Sequence, residues 1–231
     1  MYPGGRSGRP YTDGVTATFR TDDVRQAVCT VCRRLYERGL IAGQDGNVSV
    51  RIADDAVLVT PAGLSKVDVR PEDLVELGLD GTTRAGARRP SSEVAVHLRA
   101  YRRRADVRAV VHAHPPTATA FAVAGIPLDG ASLAELRLGI GPVALVGYAT
   151  PGTGAVADAF EASWADHDAF LMAHHGALTV GRSLTEAHQR MESLEHGARI
   201  LWAARALGPV PSLPADALAA LDAQRRASRN V

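Results

Sequence analysis

Residues 46–60 contain two β-patterned runs divided by a two-residue turn, and nothing else in the chain constrains its fold as much. Gly46-Asn47-Val48-Ser49-Val50-Arg51-Ile52 leads to Asp54-Asp55, and Ala56-Val57-Leu58-Val59-Thr60 follows at once. A connection this short suits neighbouring antiparallel strands and leaves no room for a crossover helix. Leu74–Leu79 adds another run, closed by the Asp80-Gly81 turn. A helical bundle has no use for successive strands.

After residue 90 the pattern changes to strands separated by helices. Strands are predicted at 110–114, 143–148, 169–173 and 178–180. The expected helices run from Thr21 or Asp22 to about Leu40, from Ser91 or Ser92 past Tyr101, over 118–123, from Thr153 to about Trp164, from Ser183 to Leu207 and over 215–226. In the second of these, Ser91 or Ser92 is the expected cap and Glu93 falls in the first turn, where the helix dipole favours negative charge. The order gives an α/β fold around a mixed, mostly antiparallel sheet. We read residues 1–20 as a loose lead-in, 21–208 as one domain, and 209–231 as a C-terminal helix and tail set off by Pro209, Pro211 and Pro214.

Composition narrows the function. A net charge of +1 gives no reason to expect a nucleic-acid partner. No apolar run reaches the length of a membrane span, and Met1-Tyr2-Pro3-Gly4-Gly5-Arg6 lacks a signal-peptide core, so a cytoplasmic protein is expected. Cys29 and Cys32 form a lone Cys-x-x-Cys in a helical pattern and read as reduced thiols. Lys66 is the only lysine, so Schiff-base or pyridoxal chemistry would depend on that one residue.

Val110-Val111-His112-Ala113-His114-Pro115 carries the chemistry. Strand alternation puts both imidazoles on one face, and His174-His175-Gly176 can supply a third. Three histidines with a carboxylate suit zinc or another borderline divalent ion, with a position left open for substrate. Asn47 in a glycine-preceded turn, Gly63 in a loop, and Ser91 and Ser92 at a helix start offer donors for a phosphate.

These residues resemble a known family. Gly46-Asn47-Val48-Ser49, Thr60-Pro61-Ala62-Gly63, Ser91-Ser92-Glu93, His112-Ala113-His114, Tyr148-Ala149-Thr150-Pro151-Gly152-Thr153 and His174-His175-Gly176 look like the motif set of the class II aldolase/adducin family, nearest to its L-fuculose-1-phosphate aldolase branch. The match runs from about Asp22 to Leu207. It implies a three-layer α/β/α fold, a homotetramer with sites near subunit interfaces, and His112, His114 and His175 as zinc ligands, with Mn2+, Co2+ or Fe2+ as alternatives. Glu93 becomes the acid/base that moves the proton of dihydroxyacetone phosphate through an enediolate, and Asn47, Gly63, Ser91 and Ser92 hold the phosphate. His174 is expected to turn away from the metal and pack.

Departures leave the substrate open. Leu133 stands where the fuculose enzyme has a tyrosine, and Ala62 replaces a hydroxyl residue of the phosphate loop. Glu135 falls where the methylthioribulose-phosphate dehydratase branch has its catalytic glutamate, although an exposed charge explains it equally well. A dehydratase or decarboxylase on a sugar or sugar-acid phosphate is therefore the alternative to an aldolase. Further off are an Fe(II) oxygenase and a non-catalytic adducin-like module, the second opposed by the intact histidines. Arg225, Arg226 and Arg229 could reach a neighbour's site, but a solvated tail is the expected state.

Overall fold

The computed structural model describes residues 21–128 and 130–229, so the lead-in expected over 1–20 lies outside the described residues. Helix α1 (Thr21–Glu37) packs Val28, Cys32 and Leu35 inward and ends before Leu40, where Gly39 turns the backbone at φ +66°. The predicted hairpin follows as β1 (Asn47–Ala53) and β2 (Ala56–Val59), then β3 (Val75–Gly78) and β4 (Thr83–Ala85). Helix α2 (Val94–Arg103), strand β5 (Ala109–Ala113), helices α3 (Pro116–Val123) and α4 (Ala134–Gly139), and strand β6 (Val143–Val146) come next. The chain continues through α5 (Gly154–Ala159), β7 (Ala169–Met172), β8 (Gly176–Gly181), α6 (Leu184–Leu207) and α7 (Ala215–Arg229).

The strands form one eight-stranded sheet in the order β4-β3-β2-β1-β5-β8-β7-β6. Only the β6–β7 pair is parallel, so the expected mixed, mostly antiparallel α/β sheet is what forms. Alternation along the strands divides the core in two. Val48, Leu58, Val111 and Leu171 pack with α1, α3, α4 and α6. Val57, Val110, Phe170 and Leu178 pack with α2 and α5 on the other side. The three-layer α/β/α arrangement follows, with each buried Leu, Val or Phe contributing roughly 1.5–3 kcal/mol.

Several elements differ from expectation. β4 was not predicted because its three residues are all exposed at the sheet edge, where no apolar alternation is needed. The helix expected from Thr153 to Trp164 breaks at Phe160, whose ring stacks on Trp164 beside buried Phe170. Ser91 and Ser92 do not cap α2. The Ser91 hydroxyl accepts from the N–H of Glu93 at 3.3 Å, ahead of the helix, and Glu93 takes the cap position without a side-chain cap bond. Ser183 does cap α6 as expected, its hydroxyl accepting from the N–H of Glu186.

The C-terminal helix is not a solvated tail. Arg137 on α4 makes two hydrogen bonds to Asp222, at 2.6 and 2.7 Å. Arg225 is buried and donates to Asp168 at 2.5 Å, passing so close to Gly141 that a side chain there would collide with the guanidinium. Arg226 is exposed, and the side chain of Arg229 lies outside those described.

Candidate active site

The alternation that sends Val110 towards α2 sends His112 the same way, to the end of the sheet where α2 begins. His112 is buried, and its Nδ1–H donates to the carbonyl of Ala177 at 2.9 Å on the neighbouring strand β8. That bond fixes the tautomer and aims the Nε2 lone pair into the site. His114 follows one residue after β5 ends, its N–H donating to the carbonyl of Leu40. Its Nε2 lies 3.2 Å from Nε2 of His112, and its Nδ1 faces Asp45 at 3.4 Å. His175 arrives from the turn between β7 and β8.

The three rings are arranged almost symmetrically. Their centroids are 5.0, 4.9 and 5.1 Å apart, and every pair of planes crosses at 66–70°. Among the described residues this is the one group of three His, Cys, Asp or Glu side chains placed to hold a metal ion. Glycine makes the convergence sterically feasible. A Cβ at Gly176 would come within 2.5 Å of Cδ2 of His114 and 2.7 Å of the carbonyl of Ala113. His174, expected to pack, is instead exposed. It sits at φ +55°, the one non-glycine residue with positive φ in the described backbone, and meets the ring of exposed Tyr148 edge-on.

Glu93 closes the group from the start of α2. Its Oε2 lies 3.1 Å from Nε2 of His112 and its Oε1 3.2 Å from Nε2 of His175. The side-chain amide of Asn47 donates to Oε2 at 3.0 Å. Burial pushes the Glu93 carboxyl up, but His112, His175 and the Asn47 amide outweigh it and hold the group well below the usual carboxylate range. Burial and the charge of His112 push His114 down to about 4. For His112, burial lowers the proton affinity, but the neighbouring Glu93 carboxylate reverses the effect and raises it. Three converging imidazoles beside a carboxylate fit a divalent cation.

A cleft of about 420 Å3 opens beside this group, lined by Asn47, Gly63, Ser91, Ser92, Glu93, His114 and His175. All the residues expected to bind phosphate are therefore brought to it. Gly63 needs to be glycine because its φ is +76°. Ser91 is buried and Ser92 exposed. Two stitches hold the rim: Thr60 donates its N–H to the carbonyl of Val48 while its hydroxyl accepts from the N–H of Val48, and Ala62 donates to the carbonyl of Arg89.

Three residues departed from the family pattern or were missed. Glu135 is exposed and lines a separate cleft with Leu133, Glu192 and His196, so within one chain it does not join the histidines. Asp45, not singled out in the sequence, borders the cleft and faces His114; its position in Gln44-Asp45-Gly46, just before Asn47, was the available signal. Lys66 also lines the cleft, directly downstream of the Gly63 loop. Cys29 and Cys32 are buried free thiols, with burial pushing Cys32 up to about 12.

Residues 26–202 match the family model for the class II aldolase and adducin N-terminal domain. The chain belongs to the class II aldolase/adducin family. It is 34% identical to 5-deoxy-D-ribulose 1-phosphate aldolase of Bacillus thuringiensis, over 83% of this chain and 90% of that protein. It is 33% identical to 3-oxo-tetronate 4-phosphate decarboxylase of Escherichia coli, over 78% and 86%. A solved L-fuculose 1-phosphate aldolase superposes with a TM-score of 0.84 at 29% identity, covering 92% of this chain and 99% of that one. This class II aldolase family member thus shares its overall fold with that sugar-phosphate enzyme. No helix among the described residues is long and apolar enough to cross a membrane.

Proposed function

We propose that the chain is a divalent-metal-dependent aldolase that reversibly cleaves a short ketose 1-phosphate into dihydroxyacetone phosphate and an aldehyde. One observation carries this reading: the Glu93 carboxylate lies 3.1 and 3.2 Å from two of three converging imidazoles, at the edge of a cleft rich in phosphate donors. The donor set favours zinc, held by His112, His114 and His175. Bound there, the ion supplies a Lewis acid that polarises a substrate carbonyl.

The chain's own groups account for the rest. Asn47, Ser91, Ser92 and the backbone at Gly63 bind the phosphate and so fix the ketose in the cleft. Glu93 holds a proton acceptor against that ketose, and Asn47 orients its Oε2. As the carbon–carbon bond breaks, the aldehyde-side hydroxyl gives up its proton and becomes the aldehyde carbonyl, and Glu93 takes up a proton and delivers one to the released carbon, so the net transfer is from oxygen to carbon.

Substrates such as 5-deoxyribulose 1-phosphate or L-fuculose 1-phosphate suit this cleft, and the relatives that act on both kinds of ketose support the class. We extend the reading to a cytoplasmic homotetramer, for which the exposed Trp202, Val123 and Ile126 provide apolar surface to cover. The test is release of dihydroxyacetone phosphate from each ketose by zinc-loaded protein. Release abolished by a chelator supports the aldolase. A metal-loaded protein that releases none from either ketose overturns it.

Leu133 in place of tyrosine, together with the decarboxylase relative, favours a second reading: loss of carbon dioxide from a 3-oxo-tetronate 4-phosphate. Carbon dioxide evolution from that compound, without ketose cleavage, would select it.

A further inference from the structure

Lys66 stands apart from the other basic residues. It is the only lysine in a chain whose Lys and Arg number 26, and it is 3% exposed. It leads the single helical turn Lys66–Asp68 under α1, and its ammonium donates to the carbonyls of Gln44 at 2.8 Å and Leu64 at 3.0 Å. An ammonium has three donors, and these bonds use two. Among the described residues no carboxylate lies within ion-pair distance of Nζ. A buried cation held only by carbonyl dipoles is costly unless an anion completes it.

The cleft that Lys66 lines is where an anion is needed. Its neutral phosphate donors are the Asn47 amide, the Ser91 and Ser92 hydroxyls and the Gly63 backbone. Its charged neighbours include Asp45 and Glu93, which repel a phosphate monoester carrying about −1.5 to −2 charges. Neutral donors could hold a phosphate in place but would not offset that repulsion. Among the described residues, Lys66 is the only cationic side chain lining the cleft apart from the histidines.

We propose that Lys66 is the charged determinant of phosphate recognition, its remaining N–H completing the anion subsite of Gly63, Ser91 and Ser92. The residue thereby makes the cleft select dianionic phosphate esters over neutral ketoses. This inference rests on the sugar-phosphate reading above and adds to it a positive charge besides that of the ion proposed at the histidines. Anchoring by two carbonyls keeps the ammonium fixed, so little ordering is needed when the ester arrives.

The test uses inorganic phosphate and the metal-loaded full chain. Protein grown on [ε-13C]lysine gives one ε-carbon resonance from Lys66, and calorimetry follows phosphate binding in the same samples. The expected result is a Lys66 signal that shifts and saturates together with the binding heat. Lys66→Met should weaken phosphate binding by about tenfold or more, and Lys66→Arg should keep most of it. Metal content, read alongside, should be equal in all three proteins. A resonance that stays still while the heat saturates overturns the proposal, as does no phosphate binding at millimolar concentration. Undiminished binding by Lys66→Met overturns it too. Should the methionine variant not fold, the resonance of the unaltered chain decides. Lys66-dependent phosphate binding without any ketose cleavage would remove the aldolase reading and leave this one standing.

Discussion

The side-chain amide of Asn47 donates to Oε2 of Glu93 at 3.0 Å, linking the first residue of β1 to the cap position of α2. Asn47 is buried, and its Oδ1 has no hydrogen-bond partner in the described structure. One amide group therefore holds the candidate acid/base and leaves an acceptor beside the cleft. Asn47→Ala should lower kcat about tenfold to a hundredfold through a misaimed Glu93 and also raise KM through the lost phosphate donor. Asn47→Asp should be worse, because a second carboxylate would face Glu93 across the same gap. A variant altered in KM alone would limit Asn47 to substrate binding.

Glu93 itself can be separated from the metal group by isosteric exchange. Glu93→Gln keeps the size and one acceptor oxygen but cannot carry a proton. Metal content should stay near that of the parent, while turnover falls by roughly 100- to 10,000-fold. Metal analysis and steady-state kinetics on one preparation check both halves. Unchanged turnover would sink the acid/base role.

Gly176 is a steric requirement, since its missing Cβ is the space that His114 occupies. Gly176→Ala places a methyl 2.5 Å from Cδ2 of that ring and 2.7 Å from a strand carbonyl. Backbone on one side and an imidazole on the other leave the ring as the part that moves. The expected outcome is a folded protein with strongly reduced metal affinity, measured by competition with a chromogenic chelator. Parental affinity would show that the strand shifts instead.

Buried Glu195 on α6 accepts from the N–H groups of Thr117 and Ala118 at the start of α3 and from Arg199. No side chain of α3's own cap position does this work. Glu195→Ala would orphan those donors just after His114-Pro115, at a cost of roughly 3 kcal/mol. Urea unfolding of metal-free protein reads that number without contribution from bound ion. A loss under about 0.5 kcal/mol would mean that water takes over the cap.

The sequence showed more of the site than of the frame around it. His112, His114, His175, Glu93 and the proposed phosphate donors lie in compact motifs, and the structure gathers them around one cleft. What stayed hidden depends on contacts distant in sequence. The N–H of Ser91 is tied to Thr60 and its hydroxyl accepts from the N–H of Glu93, while Glu93 takes the cap position of α2. His174 takes a left-handed backbone at φ +55° in the turn between β7 and β8, and that breaks the alternation assumed for a strand. α4 went unread because six residues are too few for periodicity to speak. Lys66 was read only for the chemistry it excludes, since nothing local shows that its charge is buried at a cleft.

The docking of α7 gives a prediction with a definite pH sign. Asp222 accepts two hydrogen bonds from Arg137, and that guanidinium, with help from Arg226 and Arg225, holds its carboxyl below the ordinary carboxylate value despite opposing burial. Its folded-state value is depressed, so the stabilisation is complete at neutral pH and declines as pH falls through that value. Both side chains keep some solvent contact, at 20% and 26% exposed, which limits the pair to about 1 kcal/mol. Asp222→Asn should therefore be less stable than the parent at pH 7, and the two should converge below the ordinary carboxylate range. Thermal melts across pH 3 to 7 check this, read against Arg137→Gln, which removes the same pair from α4. A gap that persists undiminished at the acid end would assign the effect to packing of α7 and not to charge.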